Sequence, residues 1–189
     1  MARSNPSALR FWPVVAGFLV TDVVTKQWAV SALAPVHTRH EVLGEWLTFT
    51  LLYNPGAAFG LHLGDWSRWI FTALTVGAVF ILLRMYHSTA EGDNVKITAL
   101  GMILGGAVGN LIDRLRSGRG VVDFIDVGIG DMRWPTFNVA DIGVSCGALL
   151  LAWVLWREDR AAALSGAEAS TPTVTSTATS KSADPSSAH

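Results

Sequence analysis

The chain has 189 residues, 50% of them hydrophobic and only 15% charged, with a net charge of −1. A water-soluble domain carries about 25% charged residues, so this deficit and a mean hydropathy of +0.37 point to a membrane protein. The near-zero charge argues against nucleic acid as a partner, which normally demands a basic face. The single cysteine, Cys146, excludes an internal disulfide, and no Cys/His spacing resembles a metal site.

The first apolar stretch runs from about Phe11 to Leu33 and approaches the roughly 20 residues that cross a hydrocarbon core. Asp22, Lys26 and Gln27 interrupt it. Asp22 and Lys26 are four apart, hence on one helix face and able to pair. Intramembrane charges are costly and mark either such a structural pair or a functional group. A rival reading makes this stretch a signal peptide, with Arg3 and Arg10 before it and Ala32-Leu33-Ala34 as the cleavage site. The intervening Asp22 and Lys26 argue against that reading.

From Trp46 to Asn54, Leu47, Phe49, Leu51 and Tyr53 alternate with Thr48, Thr50, Leu52 and Asn54, which is strand periodicity. Asn54-Pro55-Gly56 ends the run as a turn. A small sheet over about 36–65, resting on the bilayer surface, is expected. A second span follows at about Trp69 to Met85, and a third, glycine-rich one at about Val95 to Ile112. Gly101, Gly105 and Gly109 lie four apart and let a neighbouring helix approach closely. Asp113 to Thr136 reads as a loop, with short strands around Val121 to Val127. The fourth span covers about Phe137 to Trp156, with Asn138 and Asp141 near its start. Tryptophans cluster near span ends, as in an interfacial belt. The segment 161–189 is rich in Ser, Thr, Ala and Pro and is expected to be disordered.

Four spans put both termini on one side. Arg3, Arg10, Arg84, Lys96, Arg157, Arg160 and Lys181 then lie on the terminal side, and Arg39, Arg68, Arg114, Arg116, Arg119 and Arg133 on the other. That division is too even for the positive-inside rule to orient the chain.

Asp141 has no basic residue within four positions on its own helix, so it either holds a proton or finds a partner elsewhere. As a carboxylate in a first turn it also suits the helix dipole, though Asn138 is the better N-cap. Asp113, Asp123 and Asp126 form a second acidic set, with Asp123 in the apolar strip Val121 to Ile125. If Asp123 folds back to meet Asp141, the two share one proton, because like charges that close cannot both ionise. One then activates water while the other protonates an amide. No Gly-x-Ser-x-Gly, His-Glu-x-x-His or phosphate-binding loop offers other chemistry. Ion or proton-coupled transport also uses intramembrane Asp and Lys, although no internal repeat is visible. A non-catalytic scaffold is the third reading.

The blocks Asp22-Val-Val-Thr25-Lys26, Asn54-Pro-Gly56-Ala57-Ala58-Phe59, Gly109-Asn110-Leu-Ile-Asp113-Arg114, Val122-Asp123-Phe124 and Phe137-Asn138-Val-Ala140-Asp141 resemble, in this order, the lipoprotein signal peptidase (signal peptidase II) family. The resemblance covers about Phe11 to Arg157. It implies a polytopic all-α membrane protein of four transmembrane helices with a small extramembrane β-cradle. Residues 1–160 would form the peptidase domain and 161–189 a cytoplasmic tail. The family's catalytic aspartates match Asp123 and Asp141, and Asp22, Lys26, Asn54, Gly106, Asn110, Arg114 and Asn138 match supporting positions. The implied substrate is a diacylglyceryl-modified prolipoprotein cut before its lipidated cysteine, by a monomer in the bacterial inner membrane that needs no metal or other cofactor. The termini would be cytoplasmic and the site would face the outer, periplasmic side.

Overall fold

The computed structural model describes residues 6–56 and 64–169. Residues 57–63 of the expected cradle, with Ala57, Ala58 and Phe59, lie outside the described residues, as do 1–5 and 170–189. Among the described residues, four helices are long and apolar enough to cross a membrane: α1 (Pro6–Ala32), α2 (Ser67–Ser88), α3 (Asn94–Arg116) and α4 (Val139–Ala169). They leave Leu74, Phe80, Ile81 and Leu149 more than half exposed, and all eight tryptophans keep exposed surface. A water-soluble bundle would bury such side chains; a bilayer solvates them.

Hydropathy located the helices, and capping set their ends. Asp93 accepts from the Lys96 N–H at 3.2 Å and starts α3 one residue before the apolar run. Arg68, on the second residue of α2, donates to the Arg114 carbonyl at 2.6 Å and closes the C-terminal turn of α3. The disordered segment expected from Ala161 is corrected in part, because α4 continues to Ala169. Its alanine-rich continuation is a strong helix former that extends an existing helix and needs no new nucleus.

The sheet consists of β1 (Arg39–Leu43), β2 (Leu47–Asn54), β3 (Val121–Ile129) and the two-residue β4 (Met132–Arg133), antiparallel in that order. β1 and β2 lie between α1 and α2 in the chain, and β3 and β4 between α3 and α4. The alternation read along β2 does not run unbroken. Phe49 pairs with Ile125 but Leu52 with Asp123, so β2 carries one extra residue between them. A regular register would set Leu51 opposite Asp123 and turn Asn54 to the other face. The bulge brings Asn54 onto the face of Asp123.

Two apolar clusters bracket a polar layer. Phe11, Val15, Leu82, Tyr86, Ile97, Leu100 and Leu104 join α1, α2 and α3, with Phe11 stacked on Tyr86 at 3.9 Å between ring centroids. Ala29, Leu33, Leu51, Val122 and Phe124 join the end of α1 to the sheet. Between them, α1 presents Asp22 and Lys26 and α3 presents Asn110 and Asp113. Gly101, Gly105 and Gly109 share one face, as their spacing predicts, and that face meets α1. A methyl on Gly105 would lie 2.7 Å from the Val15 carbonyl, and one on Gly109 would strike the Asp22 carboxylate. Gly106 faces α4 instead, where a methyl would strike the Ala140 carbonyl.

Candidate active site

The chain entering α4 is zipped to β3, which brings the two acidic regions together. Phe137 and Ile125 exchange N–H···O bonds of 3.0 and 2.8 Å. Asp123 lies two residues before Ile125 and Asn138 one residue after Phe137. The Asn138 amide, with 0% exposure, therefore reaches the Asp123 Oδ1 at 2.7 Å.

Asn138 is also the N-cap of α4, as expected. Its Oδ1 accepts from the Asp141 N–H at 3.0 Å, while its own N–H donates to the Asp141 Oδ2 at 3.1 Å. This is a reciprocal capping box with an aspartate in the usual glutamate position. One residue thus holds both carboxylates, Asp123 by its side chain and Asp141 by its backbone. Asp22, from α1, accepts from the Ala140 N–H at 2.9 Å, so a second carboxylate rests on the same helix N-terminus.

Asn110 joins this pair to the buried ions. Its Nδ2 donates to the Asp141 Oδ1 at 2.8 Å, and its Oδ1 accepts from the Lys26 ammonium at 2.7 Å. Lys26 spends its other two donors on Asp22 at 2.8 Å and Asp113 at 2.9 Å. All three ammonium protons are matched within the protein, which favours the structural reading of the Asp22–Lys26 pair over direct contact with substrate.

In the sequence Asp113 is one of three candidate acids, set where α3 ends. It also accepts from the Val122 N–H at 3.2 Å, tying α3 and Lys26 to the strand that carries Asp123. Its spacing of three from Asn110 placed the two on one helix face, and that was the available signal.

Asn54 donates to the Asp123 Oδ2 at 3.2 Å, while its Oδ1 accepts from the Gly56 N–H at 3.0 Å. The Asn-Pro-Gly turn thereby fixes the amide that the β2 bulge has aimed. Arg114 is anchored from α2, with Nη1 3.4 Å from the Thr75 hydroxyl and its guanidinium over the Phe71 ring. Its charge acts on Asp141, Asp123 and Asp113.

Asp123 is 4% exposed. Burial, and then the neighbouring charge of Asp141, push its carboxyl up to about 7, against the pull of the Asn54 and Asn138 amides and of Lys26. Asp126, three residues on, belongs to a separate cluster. It accepts from Arg133 Nε at 2.6 Å, Thr48 at 3.0 Å and Thr50 at 3.2 Å. Burial raises its pKa, but these hydrogen bonds and the Arg133 charge outweigh that and hold it below the ordinary carboxylate value. The structure therefore gathers Asp22, Lys26, Asn54, Asn110, Asp123, Asn138 and Asp141 into one bonded network. Arg114 and Gly106 lie beside it, and Asp126 lies outside it.

Residues 14–157 match the family model described as signal peptidase (SPase) II. The lipoprotein signal peptidase of Oleidesulfovibrio alaskensis is 40% identical over 147 residues, spanning 76% of this chain and 92% of the relative. That of Cellvibrio japonicus is 43% identical over 145 residues, spanning 75% and 83%. Among solved structures, a bacterial membrane enzyme determined by the in meso method at 2.3 Å superposes with a TM-score of 0.69 at 29% identity, covering 82% of this chain and 89% of that one. A second, at 1.9 Å, gives 0.66 at 30% identity, covering 79% and 92%. This multi-pass membrane protein belongs to the signal peptidase II family, the aspartic peptidases that remove signal peptides from prolipoproteins.

Proposed function

We propose that Asp123 and Asp141 are the catalytic dyad of this peptidase. The carrying observation is that both carboxylates are bonded to Asn138 while burial and the charge of Asp141 raise the pKa of Asp123. Such a pair holds one proton between them, and Asp123 is the half whose ionisation its surroundings oppose. Asp141 takes a proton from water as that water attacks the scissile carbonyl. Asp123 gives its proton to the carbonyl oxygen, forming a neutral tetrahedral diol. Collapse of the diol returns a proton to the amide nitrogen, which leaves as the new amine. The step uses only these side chains and water.

The other residues position the pair. Asn110 and Asn138 orient Asp141, and Asn54 and Asn138 orient Asp123. Lys26 and Asp22 fix Asn110 and the start of α4, Gly106 lets α3 approach that start, and Arg114 supplies positive charge beside developing oxyanions. The proposed substrate is a diacylglyceryl-modified prolipoprotein cut just before the modified cysteine. Its acyl chains would stay in the bilayer while its backbone meets the dyad. The enzyme acts as a monomer in the bacterial inner membrane, with cytoplasmic termini, residues 161–189 as a cytoplasmic tail, and the dyad toward the outer face. The family resemblance supports this orientation.

The test uses purified full-length protein and a synthetic lipidated prolipoprotein, comparing wild type with Asp123→Asn and Asp141→Asn. Both variants are expected to fold and to lose cleavage, and EDTA to leave wild type active. Cleavage retained by either variant removes that residue from the dyad, and strong EDTA inhibition sinks the metal-free mechanism.

A further inference from the structure

A groove of about 380 Å³ runs between α1 and α3, walled by Leu19, Val20, Val23, Val24 and Ile112, with Arg116 at its end. Past Arg116 it continues into a hollow of about 220 Å³ that Lys26 and Asp113 line, with Gln27 and Val30 beside them. Neither Asp123 nor Asp141 lines either part; the hollow meets the site network only from behind, at Lys26, Asp113 and Val122, while the groove proper is lined by none of its members.

Its polar groups divide sharply. Lys26 and Asp113 are bonded to each other at 2.9 Å and have further partners. Arg116 and Gln27 are exposed and, among the described residues, hold no hydrogen bond or ion pair. Arg116 is the last residue of α3, at the level where a span meets the headgroups, while the apolar wall lies along the interior of α1. An apolar channel at hydrocarbon depth that ends in one unpaired guanidinium matches an acyl chain joined to a phosphate. A water-soluble ligand would leave the apolar wall unfilled. The unpaired cation, with Asp113, the one lining carboxylate among the described residues, already paired, selects a headgroup with net negative charge.

We propose that this groove binds one anionic phospholipid of the bilayer, an acyl chain lying against Val20, Val23 and Ile112 and the phosphate on Arg116. Gln27 adds an amide donor at the rim. The site is independent of the dyad, and its failure would leave the peptidase reading untouched.

The test is native mass spectrometry of the full-length protein in detergent, offered dioleoyl phosphatidylglycerol and dioleoyl phosphatidylcholine in equal amounts. Wild type should retain one phosphatidylglycerol in preference to phosphatidylcholine by about fivefold, the size of one basic side chain near a lipid surface. Arg116→Gln should bring that ratio close to one. Arg119→Gln, whose guanidinium stacks on Tyr53 at 4.2 Å, should leave it unchanged. Val23→Trp, which fills the channel, should abolish retention of the bound copy. Equal retention of both lipids by wild type overturns the proposal, as does a preference that survives Arg116→Gln. Retention that survives Val23→Trp overturns the placement of the chain in the groove.

Discussion

Replacing Asp123 with asparagine should do more than stop cleavage: it should change how stability depends on pH. In the folded protein this carboxyl titrates near 7 rather than at 3.8, chiefly because it is buried. A raised carboxyl pKa means the folded state binds the proton more tightly than the unfolded one. Stability is therefore full below the unfolded value and declines as pH rises from about 4 through about 7. Each tenfold in proton affinity is worth roughly 1.4 kcal/mol, so the whole decline is about 4 kcal/mol, of which about 2 to 3 kcal/mol falls between roughly pH 5 and pH 8. Asp123→Asn abolishes the titration. It also loses a hydrogen bond, because both Asp123 oxygens accept from amides, but that offset does not vary with pH. The measurement is the difference in thermal unfolding midpoint between variant and wild type, in one detergent, across that pH range. The difference should move in favour of the variant by roughly 5–10 °C at the usual 2–4 °C per kcal/mol for chains of this size. A difference that stays flat from acid to alkaline pH would refute the reasoning about burial.

The same titration should shape the reaction. Cleavage at saturating substrate is expected to fall as pH rises through about 7 and Asp123 surrenders the proton it gives to the carbonyl, and a flat rate to mildly alkaline pH would count against that role. Lys26→Met leaves the buried Asp22 and the partly buried Asp113 without their shared cation, which should cost about 3–5 kcal/mol. The double variant Lys26→Met/Asp113→Asn should recover part of that loss in thermal unfolding. Gly106→Ala drives a methyl into the Ala140 carbonyl and should cost about 1–3 kcal/mol along with most of the activity. Gly77→Ala, which meets nothing within 4 Å, should be neutral in the same assays. Asp126→Asn should lower stability by about 1–3 kcal/mol and leave kcat close to wild type, since its partners Arg133, Thr48 and Thr50 lie outside the dyad network.

Hydropathy made the four spans legible, and the spacing of Gly101, Gly105 and Gly109 announced the face that meets α1. Asp141 stood out as an acid without a local cation, and Asn138 as its cap. Their reciprocal bonding follows from the helix-start grammar of a capping residue with an acid three positions later. Asp123 was different. Periodicity placed it in an apolar strip beside two other acids, and only the family pattern separated it from Asp113 and Asp126. The separating physics is tertiary: Asp126 meets Arg133 across a hairpin, Asp113 meets Lys26 across two helices, and Asp123 meets Asn138 because Phe137 pairs with Ile125. The β2 bulge was barely legible. Leu51-Leu52-Tyr53 breaks the apolar–polar alternation of Leu47 to Thr50, but such a break fits a strand end as well as a bulge, and the extra residue shows only against the register of β3. Helix ends drifted for a related reason, since hydropathy averages over a window while a cap acts at one residue.

The grip of Asn138 on both carboxylates bears on how the site behaves in a fluctuating bilayer. Membranes thin, thicken and tilt their helices, and each span follows at little cost. A dyad whose two halves stood on unconnected spans would open and close with every such excursion. Here a displacement of the α4 terminus carries Asn138, and with it the Asp141 carboxylate and, through the bonds to Asp123 and the Val122 carbonyl, the tip of β3. Tied through one asparagine, the two acids follow a shift of the α4 terminus together, so such a shift changes their depth more than their separation.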